Sequence, residues 1–259
     1  GFIAGVCTAV FVALYCLIQL RFRLAFDLRL VYAFIRYSAP LGISSLGVFV
    51  INYADRFFLQ RYVSLADLGL YSLAYKLGLL ITYIQMPFEF YWRAQMFSIM
   101  KSPNGEKVWV RVCTYLALGL SFIVLLFVVF ARPVLHFMVP EPFWEAEKLV
   151  PWIAIAYVIR SVSGQFRYVF LLEGKTIKDF HVITAGSLAC LAGYAVLIPA
   201  FKLWGAVAST ILGFSVIFLL GLWQAQKTRR FAFEYGRMLR LSGLAMVAML
   251  AFQAVRPDS

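Results

Sequence analysis

The chain has 259 residues, 63% of them hydrophobic and 14% charged, with 24 Lys+Arg against 12 Asp+Glu. Soluble domains are about half apolar and about a quarter charged, and a globule of this size cannot hide so much apolar surface in one core. The composition argues against a soluble enzyme, a nucleic-acid-binding domain and a disordered chain. It also turns the net charge of +12 from a hint of nucleic-acid affinity into a record of membrane topology.

A crossing helix needs roughly 20 apolar residues. Taken in chain order, the candidate runs are 1–20, 37–54, 68–92, 112–131, 149–172, 180–201, 203–226 and a shorter one at 241–255. These eight runs predict an all-α, multi-pass membrane protein. The first run lacks the basic n-region of a cleavable signal and opens on Gly1, which suggests a fragment cut at its N-terminus. Residues 21–36 interleave Phe22, Phe26, Leu30 and Ala33 with Arg21, Arg23, Arg29 and Arg36, a pattern that suits a helix lying in the membrane interface. An ordinary basic loop is the plainer alternative. With such a helix ahead of it, the second span is expected to carry Pro40 in its first turn.

The connections set the orientation. Those at 21–36, 93–111, 173–179 and 227–240 hold 15 Lys/Arg; those at 55–67, 132–148, 201–204 and after Val255 hold 6. The positive-inside rule places the first set in the cytoplasm.

Charges inside the spans are costly, on the order of 2.5–3.5 kcal/mol on insertion scales, so each is a candidate for function. Arg160 stands near the middle of the fifth run. With Ser163, Gly164 and Arg167 it follows the i, i+3, i+4, i+7 spacing of one helix face, bordered by Tyr157 and Tyr168. No acid lies in that run to neutralise the stripe. Acids or carbonyls on other helices are the bland alternative. Lys76 sits one or two turns into the third run, where snorkelling to the interface is the competing reading. Glu89 and Arg93, four apart beside the kinking Pro87, are expected to pair with each other. Asp55 and Arg56 close the second span and, being adjacent, are expected to serve different neighbours.

Cys7, Cys16, Cys113 and Cys190 stand singly in apolar runs and read as small hydrophobes. His136 and His181 have no partners at metal or catalytic spacing. No P-loop, dinucleotide, zincin or nucleophile-elbow motif occurs. The expectation is a protein without cofactor, metal or catalytic residue, and with no nucleic-acid partner. A cleft lined by Arg, Lys and Tyr suits phosphate and sugar groups.

Several strings then line up in order: Tyr37-Ser-Ala-Pro-Leu41, Asn52-Tyr-Ala-Asp-Arg-Phe-Phe-Leu59, Leu68-Gly-Leu-Tyr-Ser-Leu-Ala-Tyr-Lys-Leu-Gly78, Ile198-Pro199, Gly205-Ala206 and Ala208-Ser209-Thr210. Together they resemble the polysaccharide (O-antigen and capsule) flippases of the multidrug/oligosaccharidyl-lipid/polysaccharide exporter superfamily, over about residues 22–226. Ala94, where that family commonly has proline, and Gly193-Tyr194, where an asparagine is usual, depart from the pattern. The resemblance implies two six-helix lobes around a cationic cleft. On it, 1–20 is the last helix of the first lobe, 21–36 a cytoplasmic amphipathic linker, 37–226 the second lobe, and 227–259 a cytoplasmic loop with an additional helix.

The implied activity is translocation of undecaprenyl-pyrophosphate-linked oligosaccharide across the bacterial inner membrane, with no covalent chemistry. Arg160, Arg167, Lys76, Arg56 and Tyr157 are the candidate substrate-binding residues. The implied partners are the lipid-linked oligosaccharide, membrane lipids and the missing first lobe. A cation-coupled multidrug antiporter of the same superfamily is the nearest alternative and requires intramembrane acids. A membrane-embedded polymerase or glycosyltransferase requires a larger outer loop than 132–148. A non-transporting structural subunit also stays open.

Overall fold

The computed structural model describes residues 2–19 and 27–229, and every regular element among them is helical. The chain divides into two units, 1–38 and 39–259. The first contains α1 (Phe2–Gln19), which carries no charged residue and exposes Val10, Phe11 and Tyr15. Such an all-apolar helix needs an apolar surrounding.

Helix α2 spans Leu28–Leu59. Two sequence expectations change here. Residues 21–26 lie outside the described part, but 28–36 are the opening of α2 and not a separate interfacial helix. Pro40 consequently stands inside the helix, beyond its third turn.

The second unit continues with α3 (Leu65–Lys101), α4 (Gly105–Met138), a 3₁₀ helix (Glu141–Lys148), α5 (Val150–Leu172) and α6 (Thr176–Thr228). Its local signals are plain. Ser64 caps α3 through a reciprocal box with Asp67, whose N–H donates to Ser64 Oγ at 3.1 Å. Helix α5 ends in a Schellman turn. Gly174 takes φ 65°, and the N–H of Lys175 donates to the Phe170 carbonyl at 2.8 Å.

At 1.5 Å per residue, the 37 residues of α3 and 34 of α4 measure about 55 and 51 Å, well beyond the roughly 30 Å of a hydrocarbon core. The expected loop at 93–111 is therefore helix, apart from 102–104. Apolar runs stop where charges begin, whereas a helix continues through the headgroup layer with its charges solvated.

Among the described residues, four helices are long and apolar enough to cross a membrane, namely α2, α3, α4 and α6. A fifth is added if the 3₁₀ helix and α5, bent by 46°, count as one. The expected run at 241–255 lies outside the described residues. Helix α6 is 53 residues long and breaks at Lys202, whose φ of 50° and ψ of −122° are not helical. Its two arms, 176–201 and 203–228, fold back on each other. A Cβ on Gly193 would lie 2.8 Å from Ser209 Oγ, and one on Gly213 would lie 2.7 Å from Cys190 Cβ. Small residues let the two backbones approach, the usual device for helix pairs in lipid.

Helix α5 is the centre of this unit, packing against α3, α4 and α6. Gly78 of α3 faces Ile153, while Phe166 meets Phe218 of the second α6 arm edge-on at 5.4 Å. Trp92 of α3 and Trp109 of α4, both buried, meet at 5.3 Å.

Candidate functional site

The C-terminal halves of α3 and α5, Leu41 of α2 and the start of α6 line a partly open cavity of about 350 Å³. It lies toward the end of the bundle that carries the α3–α4 and α5–α6 connections. Three arginines line it: Arg93, Arg160 and Arg167. The helical spacing that picked out Arg160, Gly164 and Arg167 holds, and Ser161, Tyr168 and Leu171 complete the same face of α5. Ser163 does not belong to it. That residue is fully buried and donates to the Arg160 carbonyl at 2.6 Å.

The arginines differ in what they hold. Arg167 makes a bidentate pair with Asp179 of α6, Nε to Oδ1 at 2.6 Å and Nη2 to Oδ2 at 3.0 Å, and Asp179 is buried. No acid lies within the run itself, and for Arg167 the alternative of an acid on another helix holds, since α6 supplies Asp179. In the sequence Asp179 stands in the connection 173–179, just ahead of the apolar run beginning at Phe180. Arg93 donates through Nε to the Tyr168 hydroxyl at 2.8 Å and pairs with Glu89 at 3.4 Å, as the i, i+4 spacing anticipated. Gln85 donates to the other oxygen of Glu89 at 3.2 Å.

Arg160 is held differently. Its guanidinium carbon lies 5.6 Å from the Tyr157 ring and 6.0 Å from the Phe214 ring. It makes no ion pair and no side-chain hydrogen bond among the described residues. Aromatic faces position a guanidinium through its π-system and leave its five N–H donors unspent. With ten residues of α5 before it and twelve after it, Arg160 sits at mid-helix.

The remaining candidates fall elsewhere. Tyr157 is buried and backs Arg160 without lining the cavity. Lys76 is exposed on α3, away from the cavity. Arg56 belongs to a second polar cluster toward the other end of the bundle. There its guanidinium stacks on Tyr75 at 4.6 Å, donates to the Asn52 carbonyl at 2.9 Å and pairs with Asp55 at 3.4 Å. The expectation that adjacent Asp55 and Arg56 serve different neighbours is therefore corrected: the arginine curls back along its own helix. Asp55, fully buried, also accepts from the Tyr71 hydroxyl at 2.6 Å. His136 stacks on Trp144 at 3.8 Å, and no group of three or more His, Cys, Asp or Glu suited to a metal occurs among the described residues.

Sequence reasoning singled out two of the three cavity arginines. Glu89 and Arg93 had been read as a structural pair, and Gln85 and Asp179 were not singled out. The spacing of 85, 89 and 93 on one face of α3, opposite 160, 164 and 167 on α5, is a signal that pairing the two helices would have used.

No curated protein and no solved structure matches the chain significantly. Residues 2–88, which cover α1, α2 and the first two-thirds of α3, match the family model of polysaccharide biosynthesis proteins, so over that third of the chain the protein is similar to that family.

Proposed function

We propose that the protein is a flippase for lipid-linked oligosaccharide, of the undecaprenyl-pyrophosphate-linked kind, in the bacterial inner membrane. One observation carries the reading: Arg160 stands at mid-helix in a partly open cavity of mixed polar and apolar lining, with its hydrogen-bond donors unspent. An unneutralised guanidinium at that depth is costly unless an anion visits it, and guanidinium recognises phosphate with directed donors. The family match adds the chemical setting of polysaccharide biosynthesis or export.

On this reading the basic connections face the cytoplasm, α6 crosses twice, and about eight helices cross in all, including 241–255. The pyrophosphate settles on Arg160 in one open state. Rocking of this lobe against a first lobe then exposes it to the other side, while the lipid tail stays in the bilayer. No bond is made or broken, so the protein is a transporter and not an enzyme. The antiporter alternative asks for membrane carboxylates free to exchange a cation, whereas Asp55, Glu89 and Asp179 each engage an arginine. In the complete protein, Arg160→Ala should abolish surface polysaccharide and leave membrane insertion intact. Unchanged polysaccharide would remove the reading.

A further inference from the structure

The wall of the cavity between Arg160 and Arg167 is bare. Gly164 lines it, and a Cβ added there would meet no atom within 4 Å. Glycine in other helices of this unit is required by close approach: at Gly78 a Cβ would meet Ile153, and at Gly186 it would meet Ile217. No such neighbour stands over Gly164. Glycine inside a helix costs about 1 kcal/mol relative to alanine, so packing gives no reason for the missing side chain. Its effect is to extend the cavity down to the α5 backbone.

The groups on either side of that bare patch are unlike. Arg160 lies one turn before it, with free donors, and Ser161 adds a hydroxyl to the same wall. Toward the other end stand Glu89, Tyr168 and Asp179, each already holding an arginine. Three arginines against two carboxylates leave one positive charge in surplus, and it resides on Arg160. At 1.5 Å per residue, Arg160 and Arg167 are about 10.5 Å apart along the axis, more than one phosphoryl group spans.

We propose that the cavity binds a glycosyl phosphate lengthwise, with the phosphoryl group on Arg160 and Ser161 and the first sugar ring lying over Gly164. The ring's apolar C–H face meets the bare backbone. Its hydroxyls meet the carboxylates and the phenol of the paired end, since carboxylate oxygens keep further lone pairs for O–H donors. The inference rests on the flippase reading and adds a direction to it: phosphate toward mid-helix, glycan toward the end carrying the α3–α4 and α5–α6 connections.

The test uses the complete protein purified in detergent and two probes, decyl phosphate and the same phosphate esterified to one hexose. The wild type should bind the glycosylated probe about tenfold more tightly, a difference of about 1.4 kcal/mol. Gly164→Leu should erase that ratio while keeping the affinity for decyl phosphate, and Gly164→Ala, whose added methyl meets nothing, should lower it in part. The alanine variant keeps the test in force if the leucine variant does not fold. Equal affinities in the wild type, or a tenfold ratio surviving in the glycine variants, would overturn the sugar assignment and leave the flippase reading standing. Decyl phosphate binding that is unaltered by Arg160→Gln would instead sink the flippase reading itself.

Discussion

The second unit contains two polar clusters built from the same residue types and bonded in opposite ways. Around Asp55, the polar groups engage one another. Tyr71 donates to Asp55, Arg56 lies on Tyr75 and bonds Asn52, and Tyr194 bonds the Ile51 carbonyl at 3.1 Å and meets Thr210 at 3.0 Å. Around Arg160, aromatic rings hold the guanidinium while a cavity opens in front of it. Position in an apolar helix alone therefore does not say whether an arginine is satisfied by its neighbours. An intramembrane charge marks a site when its hydrogen-bonding capacity is unspent and there is room for a ligand to spend it.

The sharpest way to break this contrast is to remove each arginine in turn. Arg160→Gln should reduce transport of lipid-linked oligosaccharide in liposomes by one to two orders of magnitude, the worth of about 1.5–3 kcal/mol in hydrogen bonds to a charged group. It should leave thermal unfolding in detergent nearly unchanged. Arg56→Gln should do the reverse. If both variants lose transport alike without unfolding earlier, the two clusters are one functional surface and the distinction fails.

Asp55→Ala tests the Asp55 cluster from its acidic side. Breaking a buried charged network by deleting one member costs about 3–5 kcal/mol, because Arg56 and the Tyr71 hydroxyl both lose the carboxylate they share. Unfolding should move to markedly lower temperature, with a smaller loss for Asp55→Asn, which preserves an acceptor. A silent alanine variant would mean that water reaches this cluster after all.

Arg167→Ala probes the paired end of the cavity. Removing it strands the buried Asp179 carboxylate and should cost about 2 kcal/mol of stability. The double variant Arg167→Ala/Asp179→Ala should recover part of that loss, since neighbouring sites of one pair are non-additive. Simple additivity in unfolding measurements would show that the pair contributes no coupling.

The contrast between clusters also explains which parts of the molecule could be read from the amino-acid order. Apolar runs are written locally, so α1 to α5 and both arms of α6 were legible, as was the face of α5 joining Arg160, Gly164 and Arg167. Helix ends were not, because charges that stop an apolar run do not stop a helix; α2 beginning at Leu28 is the clearest case. Partners on other helices were not legible either. Asp179 stands twelve residues from Arg167 and Tyr168 stands 75 from Arg93, and such pairings are decided by packing. The exposure of Lys76 had the same origin: its depth in the run was readable, its direction was not.

The smallest expected effect concerns the turn that brings Tyr194 and Thr210 together. Lys202 adopts φ 50° and ψ −122°, close to the first corner of a type II′ turn, where a side chain is unfavourable and glycine is preferred. Strain of this kind costs about 1–3 kcal/mol, and glycine gives some of the gain back through unfolded-state entropy. Lys202→Gly should therefore raise stability by about 1 kcal/mol, read as a modestly higher unfolding temperature. Because the turn only closes the α6 hairpin, its gain should add to the loss from Arg167→Ala at the opposite end of the bundle. Within the Asp55 cluster the expectation differs. Combined with Asp55→Ala, the gain should shrink, since a loosened Tyr194–Thr210 contact leaves the hairpin less for a relaxed turn to stabilise. Equal gains in both backgrounds would show the hairpin folding independently of Asp55.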